Sequence, residues 1–290
     1  MEYPKQTIVD VPELKRCEGS VHFEEPSSSA ATTAVHIRDW SIRLTHGSRI
    51  ASQEERERLE EEMYSSQEQG EGDQGPTIRN LPEQVYSENV LVLEHRPSGN
   101  TIRFSAADAL QQWICDGNEP IQLNISEKWQ QERKKDAAEA TRVVYDWTYT
   151  TSYVGSCEGW DVPRETQEQM DKALLMDRRA PILVFDSFPL YVSELDDMGV
   201  SEASVKIRVM PECWFVLLRF FLRIDGQLVR IRDARYFCNF GHGETVLREV
   251  RWQEATSGVG YCNADEAAQM LQALAPSGVQ HYAMEKLFVG

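Results

Sequence analysis

The chain has only six cysteines in 290 residues, and none stands in a Cys-x-x-Cys pair or at another zinc-ligand spacing. Cys17, Cys115, Cys157, Cys213, Cys238 and Cys262 are therefore expected as free thiols, with no metal site. Lysine is scarce: 8 of the 30 basic residues are Lys, against 47 Asp and Glu and a net charge of −17. So acidic a chain cannot release phosphate counterions over a wide footprint, which excludes sequence-independent nucleic-acid binding. Long apolar runs are missing too. The longest, Cys213 to Leu218, is far short of the ~20 residues of a membrane-spanning helix, and the N-terminal stretch has no apolar signal segment. A location in the cytoplasm, extending to the nucleus, is expected.

Enzyme signatures are absent as well. There is no phosphate loop, no paired-glycine dinucleotide turn, no His-Glu-x-x-His and no Gly-x-Ser-x-Gly elbow. No cofactor is expected, and the nearest approach to a catalytic cluster is Asp233, Cys238 and His242, where an imidazole would have to activate a thiol. Scattered cysteines are usually inert, so the structural reading outweighs the catalytic one.

What is present is a folded core. With 41% hydrophobic and 9% aromatic residues the chain can bury one substantial core, and one main domain is expected. Residues 1–34, polar and ending in SSSAATT, predict a disordered extension before a domain over 35–290. Ser52-x-x-Glu55 opens a helix with an acidic surface, and the acidic stretch 65–77 predicts a flexible loop. Alternating runs at Val90, Val92 and at Ile102, Phe104, joined by RPSGN, predict a hairpin. Ser105-x-x-Asp108 then caps a helix whose Leu110, Trp113 and Ile114 share one face. A helix is predicted over Glu127–Arg142, strands over VVYDWTYTTSYV and Pro181–Val184, and a last helix from Asn263-x-x-Glu266 to Leu274.

The clearest pattern lies between Trp214 and Ile224, where the period is two. Trp214, Val216, Leu218, Phe220, Leu222 and Ile224 form one apolar face, while Phe215, Leu217, Arg219, Phe221 and Arg223 mix apolar bodies with guanidinium. Asp225-Gly226 predicts a tight turn with the return strand starting at Gln227, bringing Arg230 and Arg232 near the second face. Such a face suits a carboxylate or acidic peptide, because arginine forks bind carboxylates bidentately. Internal pairing of the same arginines with Glu212, Asp225 or Asp233 is weighed equally. Asp108 likewise has a local role open to it, at the third helical position, where a carboxylate opposes the dipole.

Four segments, TIRFSAADAL (101–110), YDWTYTT (145–151), SVKIRVMP (204–211) and LLRFFLRIDG (217–226), closely resemble, in the same order, segments of the TIPRL family of regulators of TOR signalling. LPEQVYSENVL (81–91) and PILVFDSFPLYVSELDDMGVS (181–201) also resemble it, so the likeness spans residues 35–288. The resemblance implies a mixed α/β fold (α+β), a single cone-shaped domain of twisted antiparallel sheets with flanking helices. It implies a monomeric, non-enzymatic regulator that binds the catalytic subunits of type 2A protein phosphatases (2A, 4 and 6) and restrains activity or assembly, with a TOR-linked phosphatase adaptor as a further partner. Its groove would take the phosphatase's C-terminal tail, here matched to Arg219, Arg223 and Arg230. A second contact region falls on Asp108, Ile231 and Asp233, with Met170 the loosest match because SCEGWDVPRE (156–165) departs from the family pattern. The rival reading is an adaptor that binds acidic peptides of another client.

Overall fold

The computed structural model describes residues 22–24, 31–65, 81–116, 121–123, 143–145, 148–195, 199–242, 245–256, 260–273 and 280–288. The helix predicted over Glu127–Arg142 lies outside the described residues, as do Trp147 and most of the acidic loop. Among the described residues no helix is long and apolar enough to cross a membrane.

Two antiparallel sheets carry the fold. The six-stranded sheet runs in the order β1 (His22–Glu24), β2 (Ala31–Ile37), β3 (Trp40–His46), β5 (Val90–His95), β6 (Asn100–Ser105) and β9 (Ser156–Glu158). The eight-stranded sheet runs β10 (Arg164–Glu165), β16 (Gln280–Phe288), β15 (Thr245–Ala255), β14 (Leu228–Asn239), β13 (Cys213–Ile224), β12 (Gly199–Val209), β11 (Val184–Glu194) and β4 (Gln84–Val85). A separate ribbon pairs β7 (Ile121–Leu123) with β8 (Val143–Tyr145). Strand β1 and the first four residues of β2 fall within residues 1–34, and Val35, where the domain was expected to begin, lies inside β2.

The hairpin around RPSGN forms as its turn chemistry requires, with Gly99 at φ +74°. In the second run Ile102 and Phe104 are fully buried; in the first it is Leu91 and Leu93, opposite Phe104 and Ile102, that are fully buried, while Val90 and Val92 are half-buried. Ser105 Oγ accepts from Asp108 N at 3.2 Å and opens the helix Ala106–Cys115, which buries Leu110, Trp113 and Ile114. Ser52 caps Gln53–Ser65 in the same way, and among its described side chains that helix buries Leu59 and Met63. The last helix, Ala264–Ala273, is opened by Asn263 Oδ1, which accepts from Glu266 N at 2.9 Å, while Glu266 Oε2 accepts from Asn263 N at 3.0 Å.

The core lies between the sheets. The even residues of β13, Trp214 to Ile224, face Ile42, Leu44, Leu91, Leu93, Ile102 and Phe104, and Trp40 meets Trp214 edge-on at 4.9 Å between ring centroids. The strand predicted over Pro181–Val184 shares only Val184 with β11, which runs on to Glu194. Its Pro189 sits at an edge, and the register shifts there between Pro189 and Tyr191, which explains why an acidic, proline-bearing run does not read as a strand. Of the strand expected over VVYDWTYTTSYV, β8 covers Val143–Tyr145, and residues 148–154 are not strand. Beyond it Tyr149 adopts φ +48° and is buried, with its carbonyl accepting from Tyr191 Oη at 2.9 Å.

Candidate functional site

Register decides which arginines share a face. The β13–β14 loop holds Asp225, Gly226 and Gln227, so Ile224 pairs with Leu228, whereas a two-residue turn would have paired it with Gln227. One extra loop residue sends every return side chain to the opposite face. Arg219 consequently lies opposite Asp233, and Arg230 opposite Leu222 on the inner, core-directed face. The expected cluster is split: Arg219 and Arg223 are on the outer face, Arg230 and Arg232 on the inner one.

On the outer face the guanidinium of Arg219 is committed. Its Nε and Nη2 donate to the two Asp233 oxygens at 2.8 and 3.0 Å, and its Nη1 donates to Asp265 Oδ1 at 2.9 Å. Asp233 Oδ2 also accepts from Arg235 Nη2 at 2.9 Å, and Arg235 Nη1 donates to Glu249 at 2.7 Å. Arg223 Nε donates to Asp225 at 2.6 Å, its Nη1 donates to Cys262 O at 2.8 Å, and its guanidinium lies 4.0 Å from the ring centroid of Tyr261. Two of these partners face water: Asp265 is 65% and Asp225 43% exposed, whereas Asp233 is 4% exposed. On the inner face Arg230 Nε donates to Glu254 at 2.7 Å and Nη1 reaches Thr150 Oγ1 at 3.5 Å.

The outer face is covered at both ends. Helix Ala264–Ala273 lays Ala267 and Leu271 over Phe221, Val229 and Ile231, leaving Ile231 buried. At the other end Met170 packs with Met210, Cys213, Phe237 and Leu247, joined by Leu174 and Leu175. Charged Arg219, Asp233, Arg235 and Glu249 run between these two covers. Asp108 sits elsewhere, on the helix that follows β6, where it accepts from Ser156 Oγ at 3.1 Å and from Arg103 Nη1 at 3.4 Å, with its side chain 19% exposed. The structure thus joins Arg219, Asp233 and Arg223 to one face and leaves Asp108 and Arg230 apart from it.

Asp265, Glu249, Arg235 and Lys206 belong to the outer-face network although the sequence did not single them out. They meet only through strand register and helix docking, for which no local pattern exists. Glu202 lies on the same face, opposite Phe221. Burial raises its carboxyl above the ordinary value, against the opposing pull of Lys206 and Arg219. A raised acid favours folding below the usual carboxylate range and loses that contribution as pH rises through its folded value. Glu202→Gln should therefore unfold at a higher denaturant midpoint than the wild type at pH 7, with the gap closing near pH 4, about the ordinary glutamate value; equal midpoints at pH 7 would contradict the buried carboxylate.

The thiol cluster does not assemble. Asp233 and Cys238 occupy opposite faces of β14, and burial pushes the Cys238 thiol up to about 12, away from a thiolate nucleophile. The side chain of His242 lies outside the described residues. Cys115, Cys157, Cys213, Cys238 and Cys262 are all free, and no group of three or more potential metal ligands occurs among the described residues.

Comparison with known proteins agrees with this architecture's motifs. The sequence pattern of the TIP41-like family matches residues 84–258. A TIP41-like protein of Arabidopsis thaliana is 37% identical over 242 residues, which cover 77% of this chain and 77% of the relative. A TIP41-like protein of Homo sapiens is 42% identical over 164 residues, 54% of this chain and 58% of the relative. A Saccharomyces cerevisiae protein named type 2A phosphatase activator TIP41 is 29% identical over 276 residues, 86% of this chain and 71% of its own length. With the family pattern matched across more than half of its length, this chain belongs to the TIP41-like family.

Proposed function

We propose that the chain is a non-enzymatic, monomeric regulator that binds the catalytic subunit of type 2A protein phosphatases and restrains its activity or assembly within TOR signalling. The observation that carries this reading is family membership, together with two fungal relatives named type 2A phosphatase activators. A protein that acts by occupying a surface needs no catalytic centre, which fits buried, high-pKa Cys238 and the lack of enzyme motifs.

Asp108 is assigned to direct contact, being the partly exposed member of the second contact region. Met170, Ile231 and Asp233, all buried, are assigned to shaping that region from beneath. The phosphatase's C-terminal carboxylate is assigned to Arg219 and Arg223, where it would exchange with the solvent-facing partners Asp265 and Asp225 rather than with buried Asp233. Arg230 is assigned to holding the Thr150 segment. A TOR-linked phosphatase adaptor completes the assembly.

Adding the purified chain to a type 2A catalytic subunit should give a complex and lower its turnover of a phosphopeptide; a rise in turnover would replace restraint with activation, the sense of the fungal names, and no complex would overturn the reading. Asp225→Ala removes the exposed competitor at Arg223, so a peptide copy of the phosphatase tail should bind up to about fivefold more tightly, the worth of one exposed ion pair. Unchanged affinity for that peptide would remove Arg223 as its receptor.

A further inference from the structure

Strand β11 lies near one end of the eight-stranded sheet, and only Tyr191 and Val192 pair with β4. From Val184 to Phe188 its one paired edge faces β12, and among the described residues no strand covers the other. Alternate N–H and C=O groups of that edge therefore face outward, a template for another extended chain, with the Ser187 N–H already donating to Asp186 Oδ1 at 2.7 Å. The surroundings are apolar. Of six exposed large apolar side chains among the described residues, three gather here: Met176, Ile182 and Phe185. Met176 and Ile182 border an open cavity of about 410 Å³ with Leu175, Ala180, Arg208 and Met210, and Phe185 is the register neighbour of Arg208.

The charge here runs against that of the whole chain, which is −17. Arg178 and Arg208 line the cavity together with one acid, Asp177, which pairs with Arg179 at 3.1 Å; Arg178 forms no ion pair among the described residues. Arg208 Nη1 donates to Leu175 O at 2.9 Å, while its Nε is buried without a hydrogen-bond partner. The nearby acid Asp186 is engaged by His46 Nε2 at 2.6 Å and points to the opposite face from Phe185.

We propose that the free edge of β11, from Val184 to Ser187, docks an extended acidic peptide with an apolar residue, which adds to the sheet as a further strand. Its backbone completes the ladder, its apolar side chain enters the cavity beside Met176 and Ile182, and its carboxylates meet Arg178 and Arg208. This surface is separate from the Arg219 and Arg223 face and does not depend on the phosphatase reading.

The probe is a fluorescent peptide with blocked termini, Glu-Glu-Val-Phe-Val-Glu-Glu, titrated into the full chain by anisotropy. Saturable binding is expected, with the Val184–Ser187 amides gaining hydrogen-exchange protection. Phe185→Ser and Arg178→Glu, both exposed and remote from the core, should each weaken it about tenfold, while Tyr282→Ser, at an exposed apolar residue on the far side of the sheet order, should leave it unchanged. The same peptide N-methylated at alternate residues keeps its side chains and loses its ladder bonds. Equal binding of the methylated peptide, no protection at Val184–Ser187, or no binding at all would overturn the proposal.

Discussion

Asp233→Ala is expected to lose about 3–5 kcal/mol of folding stability, read as a lower urea midpoint. The Asp233 carboxylate is 4% exposed, and its two oxygens accept three donors from Arg219 and Arg235 at 2.8 to 3.0 Å. Removing it leaves the 8%-exposed Arg219 side chain with exposed Asp265, which water and salt screen, and with the Ala264 carbonyl at 3.4 Å. The cost arises from stranding a buried cation rather than from losing a favourable pair. The double replacement Arg219→Met with Asp233→Leu removes both charges together and should recover most of the loss. A drop below about 1 kcal/mol in Asp233→Ala would show that Arg219 finds water or another acid. Loss of phosphatase binding in an Asp233 variant therefore means nothing until its unfolding curve has been measured.

Trp40→Ala is the second large effect, about 3–5 kcal/mol for emptying a buried tryptophan site. Trp40 is 1% exposed and lies where the two sheets meet. Its ring contacts Trp214 at 4.9 Å, His95 at 5.3 Å and Trp160 at 6.2 Å, so one side chain ties β3, β5, β13 and the segment after β9 together. Those neighbours are held by their own strands and cannot collapse into the space, which places the cost near the upper end. A urea midpoint close to that of the wild type would mean that the inter-sheet core is looser than the aromatic geometry indicates.

Local chemistry was legible wherever it was self-contained. Ser52, Ser105 and Asn263 each announce a helix start because a cap is settled within four residues, and the period of two from Trp214 to Ile224 separates core face from outer face. The internal pairs of Arg219 and Arg223 with Asp233 and Asp225 were among the alternatives that charge composition suggested. Loop length was the weak link. Reading Asp225-Gly226 as the whole turn placed Arg230 and Arg232 on the wrong face, since a single residue of register exchanges the two faces. The same parity rule, applied within β14, already separates Asp233 from Cys238. Helix Ala264–Ala273 was legible as a helix, but its docking over Ile231 depends on distant packing that no local pattern encodes. Asp108 shows both levels at once: its place at the third helical position follows from the cap, while its contact with Ser156 joins residues 48 apart.

The most direct test is a titration of the full chain and its Asp108→Leu variant into a type 2A catalytic subunit, intact and lacking its last residues. A one-to-one complex is predicted, weakened by tail removal and weakened about tenfold or more by Asp108→Leu. The variant's unfolding free energy should fall by about 1–3 kcal/mol, the worth of a partly buried helix-end carboxylate and its Ser156 hydrogen bond, so its unfolding curve is read beside the titration. No complex with the intact subunit, or one that ignores both the tail and Asp108, would contradict the account.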